Sequence, residues 1–169
     1  MKPKSSNLLT TILWVGFLVG LFDICSALIQ VKIMFPERNP FNVLRYIASA
    51  VFGKESANSE NIMFFWGALF HFMIAYSFTI VFFLVYPHIR ALSKNRLLTG
   101  ILYGLVIWAV MNLIVVPQTK IGARPFVLKN AAIAAGILIV AIGIPLSYLA
   151  YRYYYGRKNF NQYQTALAE

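Results

Sequence analysis

Four long apolar runs, near 8–33, 61–86, 97–116 and 130–151, alternate with short polar stretches along this chain. At ~1.5 Å of rise per residue, a helix over each run is about as long as the ~30 Å hydrocarbon core of a bilayer. The first run is LLTTILWVGFLVGLFDICSALIQVKI, and it carries Asp23 near its middle. A carboxylate at that depth costs roughly 3 kcal/mol on insertion scales. Its surroundings on the helix explain how it is tolerated. Gly16, Gly20, Asp23, Ala27 and Gln30 recur at intervals of four, three, four and three, which places all five on one stripe. Small residues admit a second helix closely, and the polar members then face protein rather than lipid.

The other runs repeat the arrangement. Gly67, His71 and Ala75 share a face of the second, at intervals of four. Gly100, Gly104, Trp108 and Asn112 do so in the third, and Gly100-x-x-x-Gly104 is a close-packing signature. The fourth carries Gly136, Gly143 and Ser147 near one face and has no charged residue. Pro117 is expected to end the third helix and Pro145 to kink the fourth. The eight expected helix-packing positions are therefore Gly16, Gly20, Ala27, Gly67, Gly100, Gly104, Gly136 and Gly143.

Pro36 ends the first helix, and the stretch before the second run holds an element of its own. Asn39 suits a cap, Pro40 the first helical position and Gly53 the stop. Between them Phe41, Leu44, Ile47, Ala48, Val51 and Phe52 fall on one face, with Asn42, Arg45 and Ser49 opposite. A helix over 40–52 is too short to span, so it is expected to lie in the interface or tucked into the mouth of the bundle. The fold class is all-α: an integral membrane four-helix bundle with a short interfacial amphipathic helix between helices 1 and 2. A single membrane domain covers residues 1–169.

Composition agrees, at 60% hydrophobic and 12% charged, far from the balance of a soluble domain. The net charge of +10 lies almost wholly outside the apolar runs. It therefore points to anionic lipid headgroups rather than nucleic acid, which needs a folded basic face in water. The tail, 152–169, opens with Arg152, Tyr153, Tyr154, Arg157 and Lys158, an interfacial belt of aromatic and basic residues. With both termini on the cytoplasmic side, eight Lys and Arg lie inside and seven outside, the inner ones on shorter and denser stretches. That asymmetry sets N- and C-termini in the cytoplasm. Lys2, Lys4 and the run 8–21 imitate a secretion signal, but the apolar run resumes at Leu28 and Asp23 interrupts the cleavage region, so a retained helix is expected.

Candidate chemistry is sparse. Asp23, Gln30, His71 and Asn112 all sit on faces marked by small residues, so they are candidates for one intramembrane polar cluster. Such a cluster serves either as glue that fixes helix register or as a short proton relay. The lone Cys25 excludes an internal disulfide and a cysteine-based metal cluster. His71 and His88 are seventeen positions apart, about 25 Å along a helix, too far to hold one haem between them. No nucleophile elbow or phosphate loop occurs, so neither an enzymatic activity nor a cofactor or metal is expected.

Three strings carry a likeness: Gly20-Leu21-Phe22-Asp23-Ile24, Leu69-Phe70-His71-Phe72, and Tyr103-Gly104-Leu105-Val106 through Asn112 to Pro117. With them the chain resembles the YagU-like family of small bacterial inner-membrane proteins. The resemblance implies four helices and an inner membrane, and no defined activity. Together these features lead to the expectation of a structural or accessory subunit that joins a larger membrane complex or its own copies. The alternative is an oligomeric, proton-coupled carrier of a small solute that uses Asp23.

Overall fold

The computed structural model describes residues 7–54, 62–89, 91–122 and 125–166, with side chains as far as Gly156. Arg90, Arg124 and the side chains of Arg157 and Lys158 lie outside the described residues. Helix α1 spans Leu8–Met34, α2 Asn42–Phe52 and α3 Ile62–Val85, which continues as a 3-10 turn to His88. A one-turn α4 (Ala91–Lys94) leads into α5 (Arg96–Ala109), a π-helical segment (Val110–Val115) and α6 (Val116–Gln118). Helix α7 (Leu128–Leu138) passes through a second π segment (Ile139–Gly143) into α8 (Ile144–Ala166). Four continuous stretches, Leu8–Met34, Ile62–His88, Arg96–Gln118 and Leu128–Gly156, are long and apolar enough to cross a membrane. The chain is an all-helical, multi-pass membrane bundle.

Pro117 sits one residue inside the end of the third span, which runs on to Gln118, and both prolines are preceded by a widened turn. Each π segment closes two residues before a proline, Val115 before Pro117 and Gly143 before Pro145. A proline has no N–H to donate and its ring crowds the carbonyl one turn earlier. Widening that turn by one residue relieves the crowding and keeps the helix continuous.

The bundle is two antiparallel pairs. In the first, α1 lies along α3, and α2 folds back onto the start of α3. Gly67 makes this docking possible, because a Cβ there would collide with the Leu44 carbonyl of α2. In the second pair, Gly100 and Gly104 of α5 meet the backbone of the fourth span. A Cβ would stand 2.7 Å from Ile144 Cα at Gly100 and 2.6 Å from Ile139 Cα at Gly104. Gly143 faces the Gly100 carbonyl in return. Ser147 extends the register by donating its hydroxyl to the Arg96 carbonyl at 2.9 Å. Helices that gain nothing from leaving lipid associate through such close contact.

The pairs join through α1 and α8, and their shared core lies toward the end that holds both termini. Ile12, Val19, Phe83, Tyr86, Ile107 and Leu146 are buried there. At the opposite end α7 has no buried residue, and neither has the π segment Val110–Val115. There α2 spreads over α3, and the Lys120 amide donates to the Ala50 carbonyl at 3.0 Å, tying the last connection to the end of α2.

Two expectations need correction. Gly136 packs against nothing, with no atom within 4 Å of the position a Cβ would take. On α2 the buried face holds Ala48 and Ser49, while Phe41, Val51 and Phe52 are exposed. Ser49 tolerates burial because its hydroxyl donates to the Tyr46 carbonyl at 2.7 Å, and the Phe52 ring meets Trp66 and Phe70 of α3 at 5.7 and 5.9 Å. The ends of α2 follow the sequence more closely. The Asn39 side chain accepts from the Phe41 amide at 3.0 Å, and Gly53 adopts φ +101° just past the last turn.

Candidate functional site

The most polar place inside the bundle is the crossing of α1 and α3. Gly20 has no side chain, so Phe72 and Ala75 press against it; a Cβ there would lie 2.9 Å from the Phe72 ring and 3.2 Å from Ala75 Cβ. The same close approach lets the buried His71 reach across. Its Nε2 donates to the Gly20 carbonyl at 2.9 Å, which places a proton on Nε2. Asp23 lies one turn further along α1, half-buried and within electrostatic reach of the His71 ring. Phe72 flanks the imidazole edge-on, with centroids 5.5 Å apart, and stacks on Phe17 at 5.7 Å.

The structure thus sets Asp23 one turn from the Gly20 carbonyl that His71 reaches, and leaves the other two cluster candidates apart. Gln30 is half-buried near the far end of α1, and its amide lies 3.7 Å from Met34 Sδ on its own helix. Asn112 is exposed, and its amide donates to the Trp108 carbonyl at 2.9 Å, again within one helix. Its place in the widened π segment removes it from the Gly100–Gly104 face that regular spacing assigned to it. Ala27 is half-buried, on the stripe but beyond the closest contact.

Several polar groups escaped the sequence reading, and all of them end on backbone carbonyls. Tyr76 lays its ring over Gly16 and donates to the Leu13 carbonyl of α1 at 3.1 Å. Tyr103 donates to Phe78 and Tyr154 to Phe83, both on α3 at 2.7 Å. Thr79 bonds to Ala75 within its own helix at 2.8 Å. A tyrosine in the middle of an apolar run needs a partner for its hydroxyl, and in these cases the partner is a carbonyl on a neighbouring helix. Tyr153 and Tyr154, expected to face headgroups, instead turn their rings onto Phe83, with centroids 6.0 and 6.1 Å away. Arg152 is exposed, as a headgroup ligand would be.

Neither of two hollows on the bundle reaches the Asp23–His71 pair. One shallow depression lies against Leu13, Trp14 and Phe17, and another, more enclosed, runs between Phe82, Leu92, Thr99 and Tyr103. Neither is lined by Asp23, Gln30, His71 or Asn112. Among the described residues no three His, Cys, Asp or Glu side chains gather closely enough to hold a metal. The chain has no significant match among protein-family models, curated proteins or solved structures.

Proposed function

We propose that this protein is a structural or accessory subunit of a larger membrane assembly, and that its intramembrane polar groups serve to hold its helices in register. One observation carries this reading. The interhelical hydrogen bonds of His71, Tyr76, Tyr103, Ser147 and Tyr154 all end on backbone carbonyls of a neighbouring span. A side chain committed to a main-chain acceptor fixes the spacing of two helices and has no substrate to meet. The second support is shape, since the hollows are small and lie away from the polar pair. The third is surface. Leu128, Val140 and Leu113 stand exposed along the third and fourth spans, where lipid or another membrane protein would cover them. A bacterial inner membrane is the expected home, on the strength of the resemblance to YagU-like proteins, with both termini cytoplasmic from the lysine and arginine distribution.

The test is extraction of the tagged full chain in native lipid nanodiscs without detergent. The expected result is a second membrane protein, or further copies of this chain, in fixed stoichiometry. A single chain surrounded only by lipid would overturn the reading.

The proximity of Asp23 to His71 favours a second reading, a proton-coupled carrier. In that case the Gly20–His71 bond would break and reform during transport, and an additional protomer would complete the pathway. Flux that depends on Asp23 separates the two readings.

A further inference from the structure

Among the described residues, the end of the bundle that carries both termini has cations and no carboxylate. Lys94, Arg96 and Arg152 lie there, whereas the described carboxylates, Asp23 and Glu37, lie at mid-span and beyond the far end of α1. Arg96 is held by its surroundings. It opens α5 directly after the cap residue Asn95, whose side chain accepts from the Leu98 amide at 3.0 Å. Ser147 holds its carbonyl. Its guanidinium lies over the Tyr151 ring, 3.7 Å from the centroid, with Tyr148 at 5.9 Å. A guanidinium held over an aromatic face keeps its edge N–H groups free for an oxyanion. The first amides of α5 add the positive end of a 14-residue helix.

A second feature of the same place points to a ligand. Tyr86 is fully buried, yet among the described residues its hydroxyl has no hydrogen-bond partner. Its ring stacks on Tyr154, at 5.9 Å and 19°, and meets Tyr155 edge-on at 6.3 Å. Tyr155 in turn stacks on Tyr151 at 5.4 Å, the ring that lies beneath the Arg96 guanidinium. A buried, unpaired hydroxyl costs about 1–3 kcal/mol, and an acceptor beside Arg96 removes that cost.

We propose that Arg96, the first turn of α5 and the Tyr86 hydroxyl form a binding site for the phosphodiester of an anionic phospholipid, its acyl chains lying along the third and fourth spans. The phosphate accepts from the Arg96 guanidinium and, directly or through one bridging water, from Tyr86. Tyr148, exposed beside Arg96, flanks the glycerol region as interfacial tyrosines do. This site is separate from the headgroup belt expected of Arg152, and it requires a particular arrangement rather than net charge.

The experiment compares the full chain in nanodiscs of phosphatidylglycerol and of phosphatidylcholine, reading retained lipid by native mass spectrometry and stability by thermal unfolding. Wild type should retain phosphatidylglycerol selectively and unfold at a higher temperature in it. Tyr86→Phe, which keeps the ring, should lower phosphatidylglycerol retention about fivefold while leaving unfolding in phosphatidylcholine unchanged or higher, because only an unpaired hydroxyl is lost. Arg96→Gln should lower retention by about tenfold or more. Arg152→Gln, at the same end, should leave it within about twofold. Equal losses for Arg152→Gln and Arg96→Gln, or an unchanged preference in Tyr86→Phe, would overturn the proposal. Displacement of the lipid by millimolar inorganic phosphate would reassign the site to free phosphate and overturn the lipid assignment.

Discussion

His71 donates its Nε2 proton to the Gly20 carbonyl across 2.9 Å, a bond between two spans made by residues 51 positions apart. It exists because Gly20 brings the backbone of α1 close enough for a side chain of α3 to reach it. His71→Leu should therefore lower bundle stability by about 1 kcal/mol, the usual worth of a polar contact between membrane helices. His71→Gln, whose amide can still donate, should recover most of the loss. Controlled unfolding in mixed micelles reads both. Equal stability of the leucine variant and wild type would show that the bond contributes nothing.

The glycines of α5 give a sharper contrast. Gly104→Val forces side-chain atoms into the space of Ile139, so the third and fourth spans must separate, at a cost of about 1–3 kcal/mol. Gly136→Val meets open space and should fall within about 0.5 kcal/mol of wild type. A cysteine pair placed across α5 and α8 reports the separation by its disulfide yield. Equal yields from the two variants would contradict the close-packed register.

Docking of α2 depends on Gly67 in the same way. Gly67→Leu should release α2 from α3, because no rotamer clears the Leu44 carbonyl. Hydrogen exchange of the α2 amides should then rise by an order of magnitude or more, while the amides of α5 stay protected. Unchanged protection of α2 would contradict the contact.

What the sequence reveals and what it hides follow from the physics of each signal. Four spans and the helix between the first two are legible because bilayer thickness and the stop at Gly53 leave a mark in composition and spacing. The stripe of Gly16, Gly20 and Asp23 is legible because it obeys helical periodicity, and the structure places it against α3. Asn112 was assigned to the same face as Gly104 by regular spacing, but the π segment before Pro117 turns the helix and sends Asn112 outward. A proline declares a break; it does not say whether the chain stops, kinks or widens. Gly136 fits the small-residue pattern and packs against nothing within this chain. Spacing marks a residue that permits close approach, while the partner is decided by the fold. The tyrosines 76, 103 and 154 read as apolar bulk or as an interfacial belt, and their hydroxyls find carbonyls that no linear pattern names.

The role of the Asp23–His71 crossing is decided by one comparison: pH-driven proton flux and thermal unfolding of wild type and Asp23→Asn in the same proteoliposomes. A packing role predicts that neither protein raises flux above empty vesicles and that Asp23→Asn inserts and unfolds at an equal or higher temperature, since an amide is less costly in the membrane than a carboxylate. Proton flux in wild type that Asp23→Asn abolishes, with the variant still folded, would contradict it.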